Sequence, residues 1–253
     1  MYLTTKGLVL RVSPYNDSDA MLTVLTSDRG KISAKVRGLR RRNSPMSAPC
    51  QLLSYGQFTF FEYKGSFTVN EATSVEMFDK LRRDLTKLSL GTYFAQVAEV
   101  LSQEDLPTPE LLSLVLNCLY GLADLDLDEM QVKAVFELRS ACLAGYFPDL
   151  SGCHICANHF PDLFLISEGK LECSSCRNHS FQGIRFPITA GILTAMRYIC
   201  HCDSKKLFQF SLAQDGMSAL ADLTESYLCA QLERGFSTLD FYKSLLYTQH
   251  YPD

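Results

Sequence analysis

Residues 153–176 read CHICANHFPDLFLISEGKLECSSC, two Cys-x-x-Cys pairs with sixteen residues (157–172) between them. A Cys-x-x-Cys turn presents two thiolates from one tight knuckle, and zinc takes four such ligands in a tetrahedron. The C-x2-C-x16-C-x2-C spacing points to one structural zinc ion held by Cys153, Cys156, Cys173 and Cys176. Between the pairs, LFLIS, a Glu168-Gly169 turn and KLEC read as a short hairpin, so the module is expected to be a zinc ribbon. Four thiolates fill the coordination sphere and leave no position for a catalytic water. The rival chemistries fit less well. A thioredoxin-like pair needs a βαβ setting, disulfides need an oxidising compartment, and a zinc deaminase needs H-x-E where this chain has His154-Ile155-Cys156. His154, His159 and His179 read as exposed loop residues, because the four cysteines already suffice.

Outward from the ribbon the chain reads as helix. Upstream, KLRRDLTKLSLGTYFAQVAEVLSQ repeats Leu81, Leu85, Leu88, Phe94, Val97 and Leu101 at helical spacing. TPELLSLVLNCLYGLADL follows, with Thr108 placed as an N-cap and Pro109 at the first helical position. DEMQVKAVFELRSACLAGYF ends near Gly145 and Pro148. Downstream come PITAGILTAMRYICHC and DGMSALADLTESYLCAQLERGF. The most apolar window, residues 111–125, is broken by Ser113, Asn117 and Asp124 and is too short to span a membrane. No signal peptide is legible in MYLTTKGLVLRV, and the chain is expected to be soluble and cytoplasmic. Cys50, Cys118, Cys142 and Cys229 stand among apolar residues and read as small buried hydrophobes. Cys200-His201-Cys202 lacks a partner pair and reads as packing plus an exposed histidine.

The first 78 residues follow a different period. GLVLRV, AMLTVLT, GKISAKVRG, LLSYGQFTFFEY and GSFTVNEATSVEMF are five short strands parted by turn residues, with Gly30 and Gly65 available for positive φ. Five strands without an intervening helix suggest a small barrel, for which the OB-fold is the natural candidate and an SH3-like barrel the alternative. Residues 1–65 carry a net charge of +6 and the remainder −10, within an overall −4. In KISAKVRGLRRR, Ile32, Ala34 and Val36 share one face, while Lys31, Ser33, Lys35 and Arg37 share the other. Arg40, Arg41 and Arg42 extend that cationic face into a loop. Same-sign crowding of this kind suits a polyanion such as DNA, with phosphate contacts from Lys31, Lys35, Arg37, Arg40, Arg41 and Arg42. Tyr15, Tyr55, Phe58, Phe60, Phe61, Tyr63 and Phe67 offer stacking surfaces, but one alternating set of them must form the core. The plain alternative is a solvated strand face.

Over nearly its whole length the chain resembles the RecO family of bacterial DNA-repair recombination mediators. The likeness begins with GLVLRVSPYNDSDAMLTVLTSDRGKISAKVRGLRRRNS, similar to the family's opening strand, acidic turn, hairpin and basic loop, although Asp17 stands where Glu is usual. It continues through QLLSYGQF and the helical body with its four-cysteine ribbon, and RGFSTLDFYKSL follows the family's ending loosely. The resemblance implies an α+β multidomain chain: a five-stranded OB-fold barrel (1–79), a helical domain in two parts (80–150 and 183–253) and a zinc-ribbon insertion (151–182). It implies no catalysis. The expected activity is binding of single- and double-stranded DNA, annealing of complementary strands, and loading of RecA together with RecR onto strands coated by the single-stranded-DNA-binding protein. It places the chain in the bacterial cytoplasm, at the nucleoid.

Two other classes stay open. An adaptor would turn the same basic barrel toward an acidic protein partner. An enzyme finds little support, since the sequence shows no Gly-rich phosphate loop and no nucleophile–histidine arrangement at readable spacing. Only Lys170 and Arg177 add positive charge near the knuckles, so the ribbon is expected to brace the helical domain rather than extend a DNA surface.

Overall fold

In a computed structural model the described residues are 1–177 and 181–250, and the side chains of 248–250 are left aside. The five expected strands form: β1 (Tyr2–Pro14), β2 (Ala20–Thr26), β3 (Gly30–Val36), β4 (Tyr55–Tyr63) and β5 (Ser66–Glu76). They close into a barrel in the order β1-β2-β3-β5-β4. The long β1 pairs antiparallel with both β2 and β4. Closure between β3 and β5 is parallel and brief, through Ala34↔Phe67 and Lys35↔Thr68. That topology is the OB-fold and settles the choice against an SH3-like barrel. Gly30 and Gly65 both take positive φ, at the two hairpin turns that need it.

The barrel interior is set by the period of two. Val9, Leu22, Val24, Ile32, Ala34, Val36, Phe58, Phe60 and Val69 form one buried cluster. Phe58 and Phe60 stack at 5.8 Å inside it, so Phe61 and Tyr63 are the outward set. Tyr2, opposite Phe61 across the β1–β4 pair, joins that outer face with its ring 5.2 Å away.

The chain divides into two compact units, Met1–Asp126 with Phe236–Asp253, and Leu127–Gly235. In the first, the helical period expected from Asp79 starts later, at α1 (Leu85–Leu101). The Asp84 carboxylate accepts from the amides of Thr86 and Lys87 and breaks the pattern there, leaving Leu81 in a separate 3-10 turn and Leu85 exposed. In α2 (Pro109–Ala123) Pro109 does open the helix, but the Thr108 hydroxyl makes no cap bond and is buried without a partner. The last helix, α6 (Ser237–His250), packs on α1, with Phe236 edge-on to Tyr93 at 5.5 Å and Thr238 bonded to Gln96.

The second unit is built on α3 (Glu129–Leu143), which is buried along almost every face. It packs against α5 (Gln214–Gln231) and α4 (Ala190–His201). Lys133 of α3 lies buried between Glu137 and Glu225, at 3.0 and 2.8 Å, and Thr224 donates to Glu137. Such a triad is favourable only while every charge keeps its partner. Among the described residues no helix is long and apolar enough to cross a membrane.

Candidate metal centre and nucleic-acid interface

The cysteine module is a four-stranded sheet in the order β6-β8-β7-β9, made of β6 (Asp149–Cys153), β7 (Leu163–Leu165), β8 (Lys170–Glu172) and β9 (Arg185–Pro187). β7 and β8 are the expected hairpin, registered Leu163↔Glu172 and Leu165↔Lys170. Gly169 closes its turn at φ 63°, and a side chain there would meet the Tyr227 hydroxyl at 2.7 Å. The flanking strands β6 and β9 are too short for sequence periodicity to reveal.

The knuckles bring the sulphurs of Cys153, Cys156, Cys173 and Cys176 within 4.8 Å of one another. Cys156 and Cys173 stand 3.8 Å apart. Four thiolates bound at roughly 2.3 Å around one tetrahedral ion would stand about 3.8 Å apart, so the cluster has the dimensions of a metal centre. The backbone prepares it. Burial opposes ionisation of Cys153, but amides of Cys156, Ile155 and Cys173 aimed at its sulphur outweigh that and bring the thiol down to about 6. The Cys176 thiol is pushed up to about 11 by its neighbouring sulphurs. Without a cation the four compete for protons; a divalent ion removes the conflict.

A second layer holds the knuckles. Asn158 donates to the Cys173 sulphur at 3.3 Å, and the Cys173 amide donates to that of Cys153 at 3.4 Å. His154 faces Glu172 rather than the cluster, 3.8 Å from its carboxylate, and the His159 ring lies 3.2 Å from the Ser151 carbonyl. Neither is a ligand. His179 lies outside the described residues. Glu172 is fully buried and paired with Arg185 at 2.8 Å. Arg197 of α4 donates to the carbonyls of Leu150 and His159, and Phe164 of β7 sits edge-on to Tyr227 of α5 at 5.3 Å. The ribbon is thus anchored to its own unit's helices at both ends.

The barrel presents the cationic face that alternation predicted: Ile32, Ala34 and Val36 are buried, while Lys31, Ser33, Lys35 and Arg37 face outward. The six cations differ in what they hold. Lys31 donates to the Glu99 carbonyl at 2.8 Å. Lys35 pairs with Asp19 at 2.9 Å and lies 4.5 Å over the Tyr15 ring. Arg40 donates to the Asn16 carbonyl at 2.7 Å. The side chains of Arg37, Arg41 and Arg42 are exposed, with no hydrogen bond or ion pair among the described residues. Beside β3, where it meets β5, lies a groove of about 470 Å³ in which Arg29, Lys31 and Lys35 share the lining with Glu62, Glu104 and Asp105.

Asp19, part of the acidic turn noted in the sequence but given no role there, organises this region. The Gly38 amide, then Lys35 and Asn16, donate to its carboxylate and hold it well below the usual carboxylate range. The one local signal was the Asn16-x-x-Asp19 turn, in which Asn16 accepts from the amides of Ser18 and Asp19.

The scattered cysteines divide. Cys50 and Cys118 are buried as expected, and burial raises both thiols. Cys142 and Cys229, in the last turns of their helices, are only half-buried. Exposed His201 lies tilted against the Phe147 ring at 5.2 Å. Cys200, which in sequence had no companion, has one in space: Cys142, at 3.8 Å.

Residues 1–78 match the family described as recombination protein O N terminal, and residues 82–240 match recombination protein O C terminal. The chain is 32% identical to DNA repair protein RecO of Acetivibrio thermocellus over 246 residues, 96% of this chain and 97% of that one. It is 27% identical to the proteins of the same name from Caldicellulosiruptor saccharolyticus, covering 96% and 98%, and Alkaliphilus metalliredigens, covering 97% and 100%. With both family models matched and relatives similar over nearly its whole length, the chain belongs to the recombination protein O family of DNA repair proteins.

Proposed function

We propose that this chain is a non-enzymatic recombination mediator in the cytoplasm. In this reading it binds single- and double-stranded DNA through its barrel, residues 1–79, and anneals complementary strands. Together with RecR it helps load RecA onto strands coated by the single-stranded-DNA-binding protein. The observation that carries the reading is the outward face of β3, cationic at Lys31, Lys35 and Arg37 and continued by Arg40, Arg41 and Arg42. Strands approaching each other repel through their phosphates, and side chains that neutralise phosphates release counterions and lower that barrier. Arg37, Arg41 and Arg42 can do this without giving up a protein partner. Lys31, Lys35 and Arg40 keep theirs and contribute mainly field.

In the same reading Cys153, Cys156, Cys173 and Cys176 hold zinc, the ion that suits an all-thiolate tetrahedron. Bound there it supplies rigidity alone, since its ligand set is complete. The ribbon, residues 151–182, then braces the helices it is anchored to.

The test is annealing of fluorescent complementary oligonucleotides across a salt titration. Accelerated annealing that weakens steeply with salt is expected; a purified protein that ignores oligonucleotides in dilute buffer overturns the reading. Adding an acidic peptide as competitor separates DNA binding from an adaptor's use of the same face.

A further inference from the structure

The ribbon accounts for four of the thiols in its unit, and two others meet outside it. Cys142 lies in the last turn of α3 and Cys200 in the last turn of α4, with their sulphurs 3.8 Å apart. We propose that Cys142 and Cys200 form a reversible disulfide when the protein meets a peroxide, joining the two helices that flank the ribbon in sequence.

Three observations carry this. First, the sulphurs are already in contact at 3.8 Å, so the gap to the roughly 2.05 Å of a disulfide is under 2 Å. Second, the helix ends are held together: Arg139 of α3 donates to the carbonyls of Ile199 and Cys200, at 3.2 and 3.0 Å. Third, the two thiols are unequal. Cys142 is half-buried and reachable by a small oxidant, whereas Cys200 is buried. Their mutual hydrogen bond lowers the Cys142 thiol against the opposing effect of burial, with help from the Arg139 cation, and the same bond raises Cys200. Cys142, the thiol that a peroxide can reach, is the attacking one and Cys200 the resolving one.

The chemistry balances with the peroxide as oxidant. The Cys142 thiolate attacks one peroxide oxygen, the O–O bond breaks, and hydroxide leaves as Cys142 becomes a sulfenic acid. The Cys200 sulphur then attacks the sulfenic sulphur; the S–O bond breaks, the S–S bond forms, and the Cys200 proton leaves with the hydroxyl as water. Cys142 and Cys200 are 58 residues apart, and the loop they close contains all four metal-site cysteines. A loop of that size confines the unfolded chain strongly. The oxidised unit should therefore resist unfolding better than the reduced one.

The full chain, loaded with zinc, is treated with hydrogen peroxide and quenched. It is then alkylated in denaturant with a chelator, digested and mapped by tandem mass spectrometry. Expected is a linked pair of peptides two hydrogens lighter, with the bond localised to Cys142 and Cys200 and lost on reduction by dithiothreitol. Alkylation of both cysteines after peroxide overturns the proposal, as does a bond from Cys200 to Cys202 or to a ribbon cysteine. The mapping uses the unsubstituted chain, so it stands even if a variant fails to fold. In C200S, dimedone should trap Cys142 as its sulfenic acid, and absence of that adduct counts against Cys142 as the attacking thiol.

Discussion

The ribbon and the barrel gather like groups in opposite ways. Four thiols converge on one point, within 4.8 Å of each other, and lie on knuckles whose amides already favour thiolate at Cys153. Six cations spread along a strand and a loop, and half of them are occupied by carbonyls and a carboxylate of the protein itself. The difference follows from the ligand. A metal ion is a point and rewards convergence, whereas a polyphosphate is a line and rewards a row of charges at modest individual strength. A ligand row of this kind can lose a member and still work; a tetrahedron cannot.

The sharpest way to break the comparison is Cys153→Ser. Metal content should fall to near zero by elemental analysis, and urea unfolding of the ribbon-bearing unit should shift by several kcal/mol. Structural zinc contributes roughly 10–16 kcal/mol to small finger peptides, so this is the largest effect expected. DNA affinity should change far less, and a proportionate loss of both would contradict a bracing role for the ribbon.

Next in size is Lys133→Met, which leaves the buried carboxylate of Glu137 and the half-buried one of Glu225 without their shared cation. Breaking a buried pair from one side typically costs about 3–5 kcal/mol, readable by denaturant titration. The triple replacement of Arg37, Arg41 and Arg42 by Ala should leave folding intact and weaken single-strand binding. It should also flatten the slope of log affinity against log salt by about 2, at roughly 0.7 per lost contact. Arg40→Ala should do the reverse: little change in slope, but a loss of about 1 kcal/mol in stability as the Asn16 carbonyl loses its donor. Equal slopes for the two variants would erase the distinction between free and engaged arginines.

The smallest effect is acidic. The carboxyl of Asp19 is held below its ordinary value of about 3.9, so its ties to Gly38, Lys35 and Asn16 stabilise the fold above about pH 4 and are lost as pH falls further. The stability gap between the native chain and Asp19→Asn should be present at pH 7 and narrow below pH 4. A gap constant with pH would remove Asp19 from its place as the loop's anchor.

What could be read in the sequence was whatever is local. The x2 spacing of the knuckles, the alternation of Ile32, Ala34 and Val36 with Lys31 and Lys35, and the five barrel strands all lie within one element or one turn. What could not be read depends on distant partners. Phe58 and Phe61 obey the same alternation, and only barrel closure decides that Phe58 faces inward. Strands β6 and β9 exist because β8 and β7 are there to pair with them. Asp19 meets Gly38 across nineteen residues, and Cys142 meets Cys200 across 58. The Asp84 cap was legible in principle, being an Asp just ahead of a helical run, but the upstream leucine at 81 hid the break.

The unit that carries the ribbon is inserted into the other, which starts at residue 1 and is completed by α6. During synthesis, residues 127–235 are all present while α1 still lacks the helix it will pack against. The interrupted unit is therefore the last to mature, although its barrel emerges first. A chain cut just before Ser237 and released would carry a complete metal-binding unit and an incomplete one with a bare α1 flank, the kind of exposed apolar surface that chaperones recognise.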